Sequence, residues 1–148
     1  MTRTALALLL ALIAAPARAD FIEITWTVAS FTGDAWFIDP ASLNGATQYF
    51  EGGYAEGVFY ACDYAGQSMT YISYAAADFL ANPEFAAFST LDDPRFTLAS
   101  EIFVHRVTCE GSGDPAARRV LYPFITTDGR DVAFYPFEGG IFTLEPAE

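Results

Sequence analysis

Short segments rich in aromatic and β-branched residues, separated by turn residues, set the strongest limit on what this chain can fold into. In FIEITWTV, which begins at Phe21, one face of a strand carries Trp26 and Val28 while the other carries Thr25 and Thr27. Further segments of this kind are AWFI, ATQYFE, EGVFYAC, SMTYISY, FTLASEIFVHRVTC, RRVLYPFIT, DVAFYPF and IFTLE. About eight strands with frequent turns are typical of an antiparallel barrel or sandwich.

One alanine-rich segment, AAADFLANPEFAAF, interrupts the strand pattern. Asn82-Pro83-Glu84 has the order of an N-cap, a first-turn proline and a first-turn acid, which predicts one or two short helices between about Ala75 and Phe88. The segment STLDDPR is expected to end them. The predicted fold class is therefore all-β with a short helical insertion. The alternative is an α+β arrangement, in which one antiparallel sheet is packed by a helix.

The first nineteen residues have the pattern of a secretory signal peptide. Arg3 precedes an apolar run from Ala5 to Ala15, and Ala17-Arg18-Ala19 fits the A-x-A cleavage pattern. The run of about 11 residues is shorter than the roughly 20 needed to span a bilayer, so we expect no membrane span after cleavage. Residues 20–148 are predicted to form a single exported domain in the periplasm or outside the cell.

The predicted mature chain is strongly acidic. All 19 Asp and Glu residues follow the signal segment. The predicted mature chain keeps only five arginines and has no lysine, so its formal charge is 5 − 19 = −14. Those arginines are Arg95, Arg106, Arg118, Arg119 and Arg130. A field of this sign repels nucleic acid and excludes it as a partner, but it suits a basic protein.

The two cysteines, Cys62 and Cys109, are predicted to form one disulfide bond. An exported chain enters an oxidising compartment, where an even number of cysteines favours pairing.

The letters FEGG occur twice, within FIDPASLNGATQYFEGG (37–53) and FITTDGRDVAFYPFEGG (124–140), and seven of these 17 aligned positions are identical. Glycine pairs supply the positive φ angles that a two-residue hairpin turn requires, so each copy predicts a turn at Gly-Gly. The alternative is that Glu51 and Glu138 form a catalytic pair, which would require a fixed separation of the two carboxylates.

The remaining motifs argue against most catalytic and cofactor chemistry. His105 is the only histidine, and Ser112 lies in EGSGD, where Glu110 replaces the first glycine of a nucleophile elbow. One histidine and two paired cysteines cannot make a zinc site, and the phosphate-binding glycine loops do not occur. The segments LDDP, SGDP and TDGRD lack the spacing of a calcium loop and predict turns. No catalytic, metal or cofactor residue is therefore assigned.

The segment VFYACDYAGQSMTYISY resembles the strand-Cys-hairpin of the membrane-bound lysozyme inhibitors, through Tyr60, Cys62, Gly66 and Tyr71. The resemblance covers about 17 residues and implies a small exported β-barrel. The later S-G-x-x-Y motif of that family does not occur, because no tyrosine follows EGSGDP. No functional residue is therefore transferred.

These observations favour a non-enzymatic binding or interaction protein. Its partner would be a basic protein, or a small apolar ligand in the concavity of the sheet. Trp26 and Trp36 are candidates to line such a cavity, although the favoured interpretation places them in the core. Two alternatives stay open: a carboxylate-dependent hydrolase of the cell envelope, and an inhibitor of a basic protein such as a lysozyme.

Overall fold

The structure is a computed structural model, which describes residues 22–34, 39–59, 61–63, 70–109 and 120–148. Its strands are β1 (Thr25–Gly33), β2 (Thr47–Glu51), β3 (Tyr54–Gly57), β4 (Cys62–Asp63), β5 (Thr70–Ala75), β6 (Glu101–Cys109), β7 (Val120–Thr127), β8 (Ala133–Phe137) and β9 (Gly140–Pro146). Its helices are α1 (Ala76–Ala81), α2 (Pro94–Thr97) and two 3-10 helices at Pro40–Leu43 and Pro83–Thr90.

The strands form one antiparallel sheet in the order β4-β3-β2-β1-β9-β8-β7-β6-β5. Each strand pairs with its neighbour in the chain, except that β4 and β5 occupy the two ends of the sheet and β1 pairs with β9. The predicted antiparallel all-β fold with a short helical insertion is confirmed. The sheet curves into a half-barrel rather than splitting into the two layers of a sandwich.

Chain connectivity and packing both require this curvature. A flat sheet would separate β4 from β5 by eight strand spacings, about 38 Å. Only residues 64–69 join Asp63 to Thr70, and seven extended steps reach about 25 Å at most. The rings of Phe50 on β2 and Phe124 on β7 lie 5.0 Å apart between centroids although three strands separate them. The face that carries these rings is therefore the inner, concave face.

The inner face of the sheet and part of its outer face are apolar, and both of these regions are covered. The inner face packs its own buried side chains against one another, among them Trp26, Phe50, Phe124 and Phe142. The outer face of β6 to β9 is covered by residues 76–97, which we call the helical insertion. Successive residues of β8 consequently alternate between two cores, and Phe134 faces the insertion whereas Tyr135 faces inward.

The helical insertion begins and ends partly as predicted. The Asn82 side chain accepts a hydrogen bond of 3.0 Å from the backbone N–H of Glu84, and Pro83 follows it, which confirms the predicted N-cap. The 3-10 helix ends at Thr90, inside the segment STLDDPR as predicted, but Asp93 then caps a further helix, α2. The predicted strand beginning at Phe96 was therefore wrong in its first part. Phe96 is helical and packs edge-on against Phe134 at 5.5 Å between centroids.

The two FEGG copies form different turns. In the first copy Gly52 and Gly53 occupy the β2–β3 turn with φ angles of 26° and 105°, as predicted. In the second copy the turn residues are Glu138 and Gly139, with φ angles of 48° and 90°, so the prediction of a turn at Gly139–Gly140 was wrong by one residue. Gly140 instead belongs to β9, where a Cβ atom would lie 2.1 Å from the Phe31 ring.

Candidate functional site

The backbone positions of the two cysteines are near the two ends of the sheet. Cys62 belongs to β4, the terminal strand, and pairs with Ala55 on β3. Cys109 belongs to β6, the second strand from the other end of the sheet, and pairs with Val120 on β7. Their side chains lie outside the described residues, so the disulfide stays a prediction. If it forms, it joins the two ends of the half-barrel.

Mass spectrometry tests this disulfide directly. We expect no thiol of the purified protein to react with an alkylating reagent under denaturing conditions, because both sulfurs are bonded. After reduction, two thiols should be alkylated and the mass should rise by two adducts. Two adducts without reduction would show that the bond is not formed.

His105 lies on the inner face of β6 and is fully buried. Its Nε2 atom is 2.9 Å from Oγ1 of Thr126, and its ring lies 5.8 Å from that of Tyr71 between centroids. Burial penalises the charged imidazolium and lowers the pKa of His105 to about 3, so the ring is neutral at physiological pH. These contacts make His105 a packed, hydrogen-bonded strand residue. Ser112 lies outside the described residues.

The two glutamates of the FEGG copies are far apart. Phe50, beside Glu51, donates its backbone N–H to the carbonyl of Ile24 near the beginning of β1. Glu138 lies in the turn that leads to Gly140, which pairs with Gly33 at the end of β1. Nine residues of extended strand, about 30 Å, separate these ends, so the pair does not have the spacing that paired-carboxylate catalysis requires.

The aspartates of the predicted turns serve local structure. Asp93 caps α2 and binds Arg95, whose hydrogen bonds lower the pKa of the Asp93 carboxyl. Asp128 accepts hydrogen bonds from the backbone and side chain of Ser100, and the side-chain bond lowers its pKa most. Within the described ranges, no group of three or more His, Cys, Asp and Glu side chains could hold a metal ion. The segment SGDP falls outside those ranges.

A different surface gathers functional groups on the outer face of the β2–β3 hairpin. Tyr49 pairs with Glu56 across the two strands, and Glu51 pairs with Tyr54. Along each strand the tyrosine hydroxyl also donates to the glutamate two residues on: Tyr49 to Glu51, and Tyr54 to Glu56 at 3.0 Å. Each carboxylate is thus placed beside two phenol rings. We call these four residues the tyrosine–glutamate face.

The tyrosine–glutamate face is accessible to solvent. Both glutamates and Tyr54 are exposed, and Tyr54 exposes 43% of its surface. Arg95 forms ion pairs with Asp93 and Glu145, and Arg106 forms one with Glu84. Both arginines therefore hold the helical insertion to the sheet.

Sequence reasoning missed this face, although a signal was present. YFEGGYAE repeats the unit Tyr-x-Glu on both sides of Gly52-Gly53. In a strand, residues two apart share a face, and a two-residue hairpin brings the two units together. The glycines form the predicted turn, and the repeated Tyr-x-Glu unit places all four side chains on one face of the hairpin.

No helix in the described part of the chain is long and apolar enough to cross a membrane. The chain matches no family model, no curated protein and no solved structure.

Proposed function

We propose that this protein is an exported, non-enzymatic recognition protein that binds a basic protein through the tyrosine–glutamate face. The arrangement of Tyr49, Glu51, Tyr54 and Glu56 on one accessible surface is the observation that carries the proposal. Export rests on the signal-peptide pattern of residues 1–19.

The chemistry of this face suits an arginine or lysine side chain of the partner. A carboxylate accepts hydrogen bonds from a guanidinium in a bidentate geometry, and the face of a tyrosine ring attracts a cation electrostatically. The face offers both groups side by side in each cross-strand pair, Tyr49–Glu56 and Tyr54–Glu51. The hydroxyl of each tyrosine holds the neighbouring carboxylate in place, which reduces the side-chain freedom lost on binding.

The rest of the molecule supports the same partner. With 19 acidic residues against seven basic ones, the chain has a formal charge of −12, which becomes −14 after signal cleavage. Such a field raises the association rate with a cationic protein and repels anionic surfaces. A rigid hairpin presents the face, because Phe50 and Ala55 between the four residues are buried in the inner core.

A basic lysozyme is a suitable first partner, since it combines a cationic surface with a role in the cell envelope. We expect saturable binding by calorimetry, and the variant Glu51→Gln/Glu56→Gln should weaken it at least about tenfold, because local charge pairs are lost. Tyr54→Phe should retain more affinity than Tyr54→Ala, because the ring remains.

The matched control is Asp78→Asn/Asp92→Asn, which removes two exposed carboxylates from the helical insertion and changes the net charge equally. Retained binding in this variant would localise recognition to the face. Equal weakening in both double variants would show attraction by overall charge only. If no basic protein from a panel that includes lysozyme binds the parent chain, the proposal is wrong.

A further inference from the structure

A small apolar pocket lies between the helical insertion and the sheet, away from the tyrosine–glutamate face. Its volume is about 140 Å³. Leu80, Phe88, Leu91, Phe96 and Ile102 supply most of its wall. Ala76 and the hydroxyl-bearing Ser89 and Thr97 complete it. Leu80 is 47% exposed, so the pocket has access to solvent.

The pocket follows from the shortness of the helices that cover the sheet. α1 has six residues and α2 four, and Phe79 and Phe96 are their buried side chains. Such short helices place few side chains on the sheet and do not fill the space between them. The rings of Phe88 and Phe96 lie 5.4 Å apart between centroids, tilted by 35°, and form two rigid walls.

On the inner face, by contrast, the described aromatic rings pack against one another. Trp26 is fully buried and packs edge-on against Phe124 at 5.7 Å between centroids. Trp36 lies outside the described residues. Trp26 is therefore a core residue, and a ligand site in the concavity stays a prediction.

The size and the lining of the pocket together define a class of ligand. A cavity of about 150 Å³ lined by Leu, Ile and Phe is known to accept a benzene molecule, so this pocket accommodates a single ring. Ser89 donates its hydroxyl to the carbonyl of Ala86 at 2.7 Å and keeps acceptor capacity for one ligand hydroxyl. An anionic ligand would lose its hydration against this mostly apolar wall, which disfavours it.

We propose that this pocket binds a neutral monocyclic compound with at most one hydroxyl group. The inference does not depend on the tyrosine–glutamate face. That face lies on β2 and β3, which are separated from β6 by at least four strands of the sheet.

The test is a titration of the purified protein with benzene, phenol and benzoate, followed through the methyl signals of leucine and isoleucine by NMR. Benzene and phenol should shift the methyl signals of Leu80, Leu91 and Ile102 in a saturable manner. The methyl signals of Ile22 and Leu144, which lie in the inner core, serve as the internal reference. Benzoate should bind at least about tenfold more weakly than phenol, because it is charged.

A pair of variants on α1 localises the site. Ala76→Phe places a ring in the pocket and should abolish the benzene shifts, whereas Ala77→Phe, on the exposed neighbouring residue, should leave them unchanged. Shifts that do not saturate, that reach Ile22 and Leu144 equally, or that persist in folded Ala76→Phe would overturn the proposal. If Ala76→Phe does not fold, the location and saturation of the shifts in the parent protein decide the outcome.

Discussion

Mild acid is expected to destabilise this protein by about 2 kcal/mol between neutral pH and pH 5, through His105 alone. Burial lowers the pKa of His105 from 6.5 to about 3 in the folded chain. Below pH 6.5 the unfolded state therefore binds a proton that the folded state does not, and the free energy of unfolding falls by about 1.4 kcal/mol per pH unit. This loss continues until the pH approaches the folded pKa of about 3.

His105→Gln isolates this contribution. Glutamine does not titrate and retains a polar group near the Thr126 hydroxyl, which lies 2.9 Å from Nε2 in the parent. Urea unfolding from about pH 7.5 to about pH 5 should give a falling free energy in the parent and a nearly level one in the variant. The lowered pKa values of Asp93 and Asp128 affect both proteins equally, so they cancel in the difference. Parallel profiles would contradict the prediction.

Gly57→Ala is expected to cost about 3 kcal/mol or more, because the new methyl group meets backbone rather than a movable side chain. A Cβ atom at Gly57 would lie 2.3 Å from the carbonyl oxygen of Thr47 and 2.6 Å from Cα of Gln48. Both atoms belong to β2, so the β2–β3 pairing must open to relieve the contact. Chemical denaturation measures the loss, and binding by the tyrosine–glutamate face should fall with it.

Gly45→Ala is the matched control for this substitution. Gly45 has a φ of 83° and no heavy atom within 4 Å of its Cβ position, so the substitution there carries the backbone penalty alone, about 1 kcal/mol. Both variants change the unfolded chain in the same way. A Gly57→Ala protein no less stable than Gly45→Ala would show that β2 and β3 do not approach as closely as described.

Local sequence signals predicted the strands and the first helices well. The strand alternation around Trp26 and Val28 and the N-cap at Asn82 depend on neighbouring residues, and both predictions are confirmed. Phe96 was assigned to a strand because its surroundings are β-like, but the cap at Asp93 and packing against Phe134 make it helical. Tertiary packing outweighed propensity there.

The errors in the FEGG copies and in the candidate site have another origin. Gly140 takes a strand position because the Phe31 ring occupies the space of a Cβ atom, and Phe31 is more than a hundred residues away in the chain. The tyrosine–glutamate face could have been predicted from the sequence, because it follows from the alternation of side chains along a strand and from the Gly-Gly turn. The pocket under the helical insertion could not have been predicted from the sequence, because its volume depends on how three short helices pack on the sheet.

The pairing of β1 with β9 has a consequence for how the chain could be reordered. The backbone N–H of Ala147 donates to the carbonyl of Thr25 at 2.9 Å, so the beginning of β1 and the end of β9 lie side by side. A circular permutant that links these ends and opens between Asp63 and Thr70 would run through all nine strands in spatial order. All paired strands would then be consecutive in the chain, so the long-range pairing of β1 with β9 becomes a short-range one. Such a permutant should fold faster than the natural chain.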